Sequence, residues 1–160
     1  MTRKAVAAIE RARKRAARSF FGEAKAIHSP RPIVCFGGWM VRLNENPGTL
    51  EHIQDASERL TQNILQFERE TIGASSHIGQ FVDTSEVTAA IKSGQRLNIG
   101  NRQLDPQIVK DAFEVVGKSK GYGYKAGTII IMLEEDSAPH KPVHITGVSG
   151  TAIIMPMRQQ

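Results

Sequence analysis

The densest group of side chains able to do chemistry lies between Glu134 and His144. Glu134, Glu135, Asp136, His140 and His144 crowd three carboxylates and two imidazoles into one short stretch. Such donors can hold a divalent ion, and a metal-dependent hydrolase or nuclease using Glu134, Asp136, His140 and His144 is one reading. The spacing matches no specific metal motif. It places Glu134 and His144 on strands and the others on a projecting loop. His144-Ile145-Thr146 has the form of half a two-histidine phosphoesterase motif, but His77-Ile78-Gly79 does not supply the second His-x-Ser/Thr. Nucleophilic catalysis finds no Gly-x-Ser-x-Gly motif. Cys35, the lone cysteine, reads as a buried thiol between Val34 and Phe36, which points to a reducing compartment. No cofactor is implied.

Charge offers different chemistry. The 160-residue chain carries a formal net charge of +5, unevenly spread. Residues 1–18 hold seven of its 21 basic side chains against one acid, Glu10, and the remainder is close to neutral. Any attraction to an acidic partner is therefore local to that segment. Residues 2–28 read as one helix rich in Ala, Arg, Lys and Glu. Ala5, Ile9, Ala12, Ala16, Phe20, Ala24 and Ile27 fall on one face; Arg11, Lys14, Arg15 and Arg18, with Arg3 and Lys4, fall opposite. The first set, chiefly Ala5, Ile9, Ala12, Ala16 and Phe20, is expected to contact a neighbouring subunit. The second is expected to face nucleic acid or another acidic partner, neutralising phosphates without reading bases. Reversing the charge of Arg11, Lys14, Arg15 and Arg18 should then abolish binding without unfolding the domain. A second basic stretch, Lys118, Lys120, Tyr122, Tyr124 and Lys125, interleaves lysines with tyrosines that can stack on bases. Against both stands the plainer reading of a solvated helix face and a loop packed on a sheet edge.

These residues need elements to position them. Three short runs rich in β-branched residues, Thr128 to Leu133, Val143 to Thr146 and Thr151 to Met155, predict an antiparallel meander, with Ser149-Gly150 as its turn. Ile33 to Phe36 and Trp39 to Leu43 read as one strand broken by Gly37-Gly38, where a bulge or a close backbone approach is expected. Thr49 is expected to cap a helix running to about Thr71. Gly73 to Gly79 reads as a flexible link. Asp83, with Glu86 three residues on, opens a helix from Thr84 to Lys92 that Gly94 closes. Leu97 to Ile99 is a short strand. Asp105-Pro106 starts a further helix, with Ile108, Val109, Ala112, Phe113 and Val116 inward and Gly117 as its stop.

Phe81-Val82-Asp83-Thr84, opening a short helix with Val87 and Ile91, resembles the Val-Asp-Thr-Gly-x-Leu segment of tailed-phage tail-completion and neck proteins. Those proteins also carry a basic, Ala-rich N-terminal helix ahead of a small sheet. Here Ser85 stands at the Gly position and Val87 at the Leu position. The resemblance covers about a dozen residues and leaves the β-rich C-terminal part unmatched. It implies a ring-forming, non-enzymatic virion component through which DNA passes, located in the virion; without it the default location is cytoplasmic.

The sequence thus predicts an α+β fold: an antiparallel sheet of four or five strands packed by helices, with residues 1–28 as a basic arm and 29–160 as one domain. The expected role is a homo-oligomeric assembly protein, in contact with other structural proteins and with nucleic acid, and without a membrane segment. A soluble monomer with a merely solvated helix is the third possibility.

Overall fold

The computed structural model describes residues 1–74, 76–119, 126–135 and 138–158. Four helices and ten strands follow in the order α1 (Arg3–Ala17), β1 (Lys25–Ile27), β2 (Ile33–Cys35), β3 (Trp39–Leu43), β4 (Gln54–Asp55), α2 (Glu58–Ile72), β5 (His77–Asp83), α3 (Thr84–Ser93), β6 (Leu97–Ile99), β7 (Arg102–Leu104), α4 (Pro106–Val116), β8 (Thr128–Glu134), β9 (Val143–Gly147) and β10 (Gly150–Ile154). The fold is α+β, as the residue pattern predicts.

The meander, β10-β9-β8, lies next to the β5 edge of an eight-stranded sheet ordered β4-β1-β2-β3-β10-β9-β8-β5. Every pairing in it is antiparallel except β1 with β4, which makes the sheet mixed and larger than the four or five strands expected. The extra strands are β1, joined to β2 by a short loop, and β4 and β5, whose partners lie far along the chain. β6 and β7 form a separate two-stranded sheet.

Side-chain alternation splits the sheet into two buried faces. On one, Val34, Val41, Leu43, Ile129, Ile131, Leu133, Val143, Ile145, Ala152 and Ile154 pack under α1, α3 and α4. On the other, Ile33, Met40 and Ile153 meet Ile64 of α2, flanked by Leu60 and Phe67. Arg42 of β3 fastens α2 with a two-pronged contact to Glu68, at 2.6 and 2.8 Å. The molecule is therefore three layers: three helices, the sheet, and α2.

Helix ends follow their capping chemistry. Thr2 Oγ1 accepts from Ala5 N at 3.1 Å to start α1. Asp105 Oδ1 accepts from Gln107 N at 2.9 Å to start α4, and Pro106 fills its first turn. Asp83 stands at the N-cap of α3 but makes no side-chain cap bond. Its Oδ1 instead accepts from Thr128 Oγ1 at 3.4 Å, across to β8.

Five expectations change. The first helix stops at Ala17 rather than at residue 28, and Ala24 and Ala26 are buried beside or within β1. Helix α2 starts at Glu58, because Ser57 Oγ accepts from Leu60 N at 3.2 Å and caps it in place of Thr49. Leu50 and Ile53 turn instead into the main core. Ile33 to Leu43 is a hairpin: Cys35 pairs with Met40, and Gly37 and Gly38 both hold positive φ, 74° and 76°, at its two-residue turn. The close approach expected there is real, for a Cβ on Gly37 would fall 2.3 Å from Phe21 Cβ. Finally, the supposed link at 73–79 gives way to β5, which pairs with β8 over seven residues. The meander turn is displaced by one residue, Val148-Ser149 joining Gly147 to Gly150.

Candidate interaction surfaces

Helix α1 lies on α4. Ala5, Ala8, Ile9, Ala12 and Ala16 are all buried, and all but Ala5 pack with Val109, Ala112, Val115 and Val116 in the main core. Small residues let the two backbones come close, so the stripe is spent within the chain. This corrects the expectation that Ala5, Ile9, Ala12 and Ala16 meet another subunit, and it makes α1 a layer of the body. Phe20 is the exception. It follows the end of the helix and is fully exposed, set edge-on to the half-exposed Phe21 at 5.9 Å between ring centres.

The same docking divides the basic face. Arg11 pairs with Glu114 of α4. Arg15 Nε donates to Asp111 Oδ2 at 3.1 Å, and Gln107 Nε2 donates to Asp111 Oδ1 at 3.1 Å. Asp111 is buried; burial raises its pKa, while Arg15 and Gln107 pull the other way. Arg13 clamps Glu10 and, with help from His52, holds its carboxyl down to about 2. Arg11 and Arg15 therefore anchor α1 and are not free for a partner, which corrects the expectation for those two residues. Arg3, Lys4, Lys14 and Arg18 are exposed, with no ion pair among the described residues. Lys118 is exposed too; Lys120, Tyr122, Tyr124 and Lys125 lie outside the described residues.

The histidine-carboxylate group divides in the same way. His144 sits on the α2 side of the sheet, opposite Ile153, and is buried. Its ring meets His77 edge-on at 4.9 Å. Burial first, then the His77 charge, lowers the His144 pKa to about 4. His77 Nε2 lies 3.0 Å from the Thr71 carbonyl oxygen. Glu134 stands opposite His77 on β8, and both line a small cavity with Thr71, His140 and Lys141. Among the described residues no three His, Cys, Asp or Glu side chains are placed to hold a metal ion. The expected ligand set is thus not assembled there, since His144 is turned into the sheet packing; Asp136 lies outside the described residues. Sequence reasoning passed over Arg102, which is buried behind the loop and donates from Nε to the Lys141 carbonyl at 3.3 Å. Burial lowers its pKa and Glu134 opposes the shift, so Arg102 serves to pin that loop to β7.

The third surface is the open side of β5, which has β8 on one flank and, among the described residues, no strand on the other. Ile78, Gln80 and Val82 lie on the three-helix side with Leu133, Ile131 and Ile129; His77, Gly79 and Phe81 lie on the α2 side. Ile78 is 46% and Phe81 58% exposed, and no charged residue falls between His77 and Asp83. Sequence reasoning missed this strand too. Its signal was Ile78, Phe81 and Val82, outweighed by the glycines and serines before it. Ile72, at the end of α2, adds another exposed apolar side chain to the molecule. No described helix is long and apolar enough to cross a membrane. No family model, curated protein or solved structure matches the chain.

Proposed function

We propose that the chain is a non-enzymatic assembly protein that works as a homo-oligomer. One observation carries the reading: a seven-residue edge strand, uncharged between its ends, with Ile78 and Phe81 open to water. Unpaired edges of that length template association, and monomeric proteins blunt them with charge, proline or a covering element. β5 carries no proline or lysine. The exposed remainder of the α1 basic face (Arg3, Lys4, Lys14 and Arg18) then meets an acidic partner, for which nucleic acid is the reading its phosphates favour. The resemblance of Phe81 to Thr84 supports a virion neck or tail as the setting.

Light scattering at low and high salt tests the assembly. A discrete oligomer that persists in salt is expected, because apolar contacts and main-chain hydrogen bonds are weakly screened. A monomer at both salt concentrations overturns the reading.

A further inference from the structure

We propose that a second copy of this chain pairs with β5 along its open edge, antiparallel, about a two-fold axis passing through Gln80. The proposal rests on the assembly reading and adds its partner, surface and register.

Geometry narrows the choice. In a regular antiparallel pair, directly opposed residues point to the same face of the sheet. When a strand pairs with its own copy about a two-fold perpendicular to the sheet, odd residues must therefore oppose odd ones, and even residues even ones. Such a pairing is centred on a residue, never between two. His77–Asp83 has seven residues, so the one register that uses them all is centred on Gln80.

That register is also complementary in chemistry. His77 stands opposite the partner's Asp83, which sets an imidazole beside a carboxylate at both ends of the interface. Gly79 stands opposite the partner's Phe81. An exposed phenyl ring then covers a position that has no side chain of its own, the device by which aromatics rescue strand glycines. Ile78 stands opposite the partner's Val82. The exposed Ile78 and Phe81 of both copies leave water together, and no charge lies between the ends to oppose it.

The other edge of the sheet offers no competing site. It is β4, only Gln54–Asp55, both exposed. Head-to-tail addition of β5 to that edge pairs two residues rather than seven. The β5 contact is isologous and closes as a dimer, so any larger ring needs a second interface.

Cysteine cross-linking reads the register in the full-length chain. In a Cys35→Ser background, Gln80→Cys places two thiols directly opposite, with Cα atoms about 4.5–5.5 Å apart, within disulfide reach. Ile78→Cys leaves its thiol about 14 Å from its own copy at roughly 3.4 Å per residue, out of reach. Mild oxidation should give a disulfide-linked dimer at Gln80→Cys at least tenfold faster than at Ile78→Cys. Phe81→Lys, at a half-exposed site, should shift the unoxidised protein to a monomer that keeps the parent's far-UV circular dichroism and melts lower only by the lost dimer contribution. Three results overturn the proposal, and they differ. An oligomer with no preference for position 80 refutes the register and leaves the assembly reading standing. An oligomer that Phe81→Lys does not disturb refutes the surface. A monomeric parent protein refutes the assembly reading itself.

Discussion

Helix α1 and strand β5 both carry apolar residues that need cover, a stripe on α1 and an exposed one on each face of β5, and the fold treats them oppositely. The α1 stripe of Ala5, Ala8, Ile9, Ala12 and Ala16 is closed off within the chain, each residue no more than 4% exposed. β5 keeps Ile78 and Phe81 open, although its neighbour Val82 is buried. The difference lies in what each can find locally. α1 has α4 to lie on, with small residues on one side and acids on the other: Asp111 for Arg15 and Glu114 for Arg11. β5 is the last strand of its sheet, so half of its main-chain groups have no ladder partner there. An apolar helix stripe is thus no sign of association when the same chain supplies the groove. An apolar edge strand is a stronger one, because β5 has none of the proline or lysine that blunts an edge and no described strand lies along its open flank.

The sharpest way to break the comparison is to overfill the closed side. Ala12 is 2% exposed in the main core. Ala12→Leu adds three carbons where α1 meets that core. Overpacking of this kind costs about 3 kcal/mol at its upper end, or a Tm fall of roughly 10 °C for a chain of this size. Phe81→Ala at the open edge should leave the monomer within about 0.5 kcal/mol of the parent. Thermal melts of the parent and both variants, taken at one concentration dilute enough for the monomer, check this. Equal losses would mean that the two faces do not differ as argued.

Part of the fold was visible in the sequence, but this contrast was not: the α1 stripe read as a subunit contact and β5 was missed. α4 was legible from Asp105-Pro106 and Gly117, and the meander from its β-branched runs, because those signals are local. β1, β4 and β5 were not: β4 and β5 are strands only through distant partners, Ala26 with Asp55 and Phe81 with Ile130, and β1 pairs nearby with β2 but was masked by its own helix-forming residues. Lys25-Ala26-Ile27 carries helix formers, and Gly73 to Ser76 resembles a linker in composition. The basic face was legible as a charge pattern. Its division into anchors and free cations was not, since Asp111 and Glu114 lie nearly a hundred residues away. The histidine-carboxylate group was legible as composition and misleading as geometry, because strand register turned His144 inward.

A second effect separates the two regions by pH. Folding lowers the His144 pKa from 6.5 to about 4. Between those values the unfolded chain holds more protons than the folded one, so stability is full above about pH 6.5 and falls as the pH drops through that window. The loss from this group reaches about 2 kcal/mol by roughly pH 5. His77 and Glu134 face it from β5 and β8, so the weakening is centred at the β5 end of the sheet and not at the α1–α4 layer. Amide exchange at about pH 5 should show β8 and β9 opening before α1 does. His144→Gln, a neutral side chain of similar size, should remove that part of the slope in melts taken from about pH 7 to 4.5. An unchanged slope would place the acid sensitivity elsewhere.

The smallest effect on stability tests the division of the basic face itself. Lys14 and Arg18 are exposed and outside any described ion pair, so Lys14→Glu with Arg18→Glu should cost less than about 0.5 kcal/mol per site. Arg15→Glu sits one residue from Lys14 but sets a carboxylate against the buried Asp111, and should cost about 2 kcal/mol. Reversing all four of Arg11, Lys14, Arg15 and Arg18 would therefore mix unfolding with lost binding, contrary to the expectation from sequence. The double variant keeps them apart. Fluorescence anisotropy with a short DNA duplex at low salt should show binding by the parent chain. The Lys14→Glu/Arg18→Glu variant should bind more weakly and lose about one unit of the log–log salt slope for each phosphate contact removed. If the parent binds and the double variant binds equally well with the same slope, α1 is not the acidic partner's surface, and its exposed charges serve only to keep that layer in water.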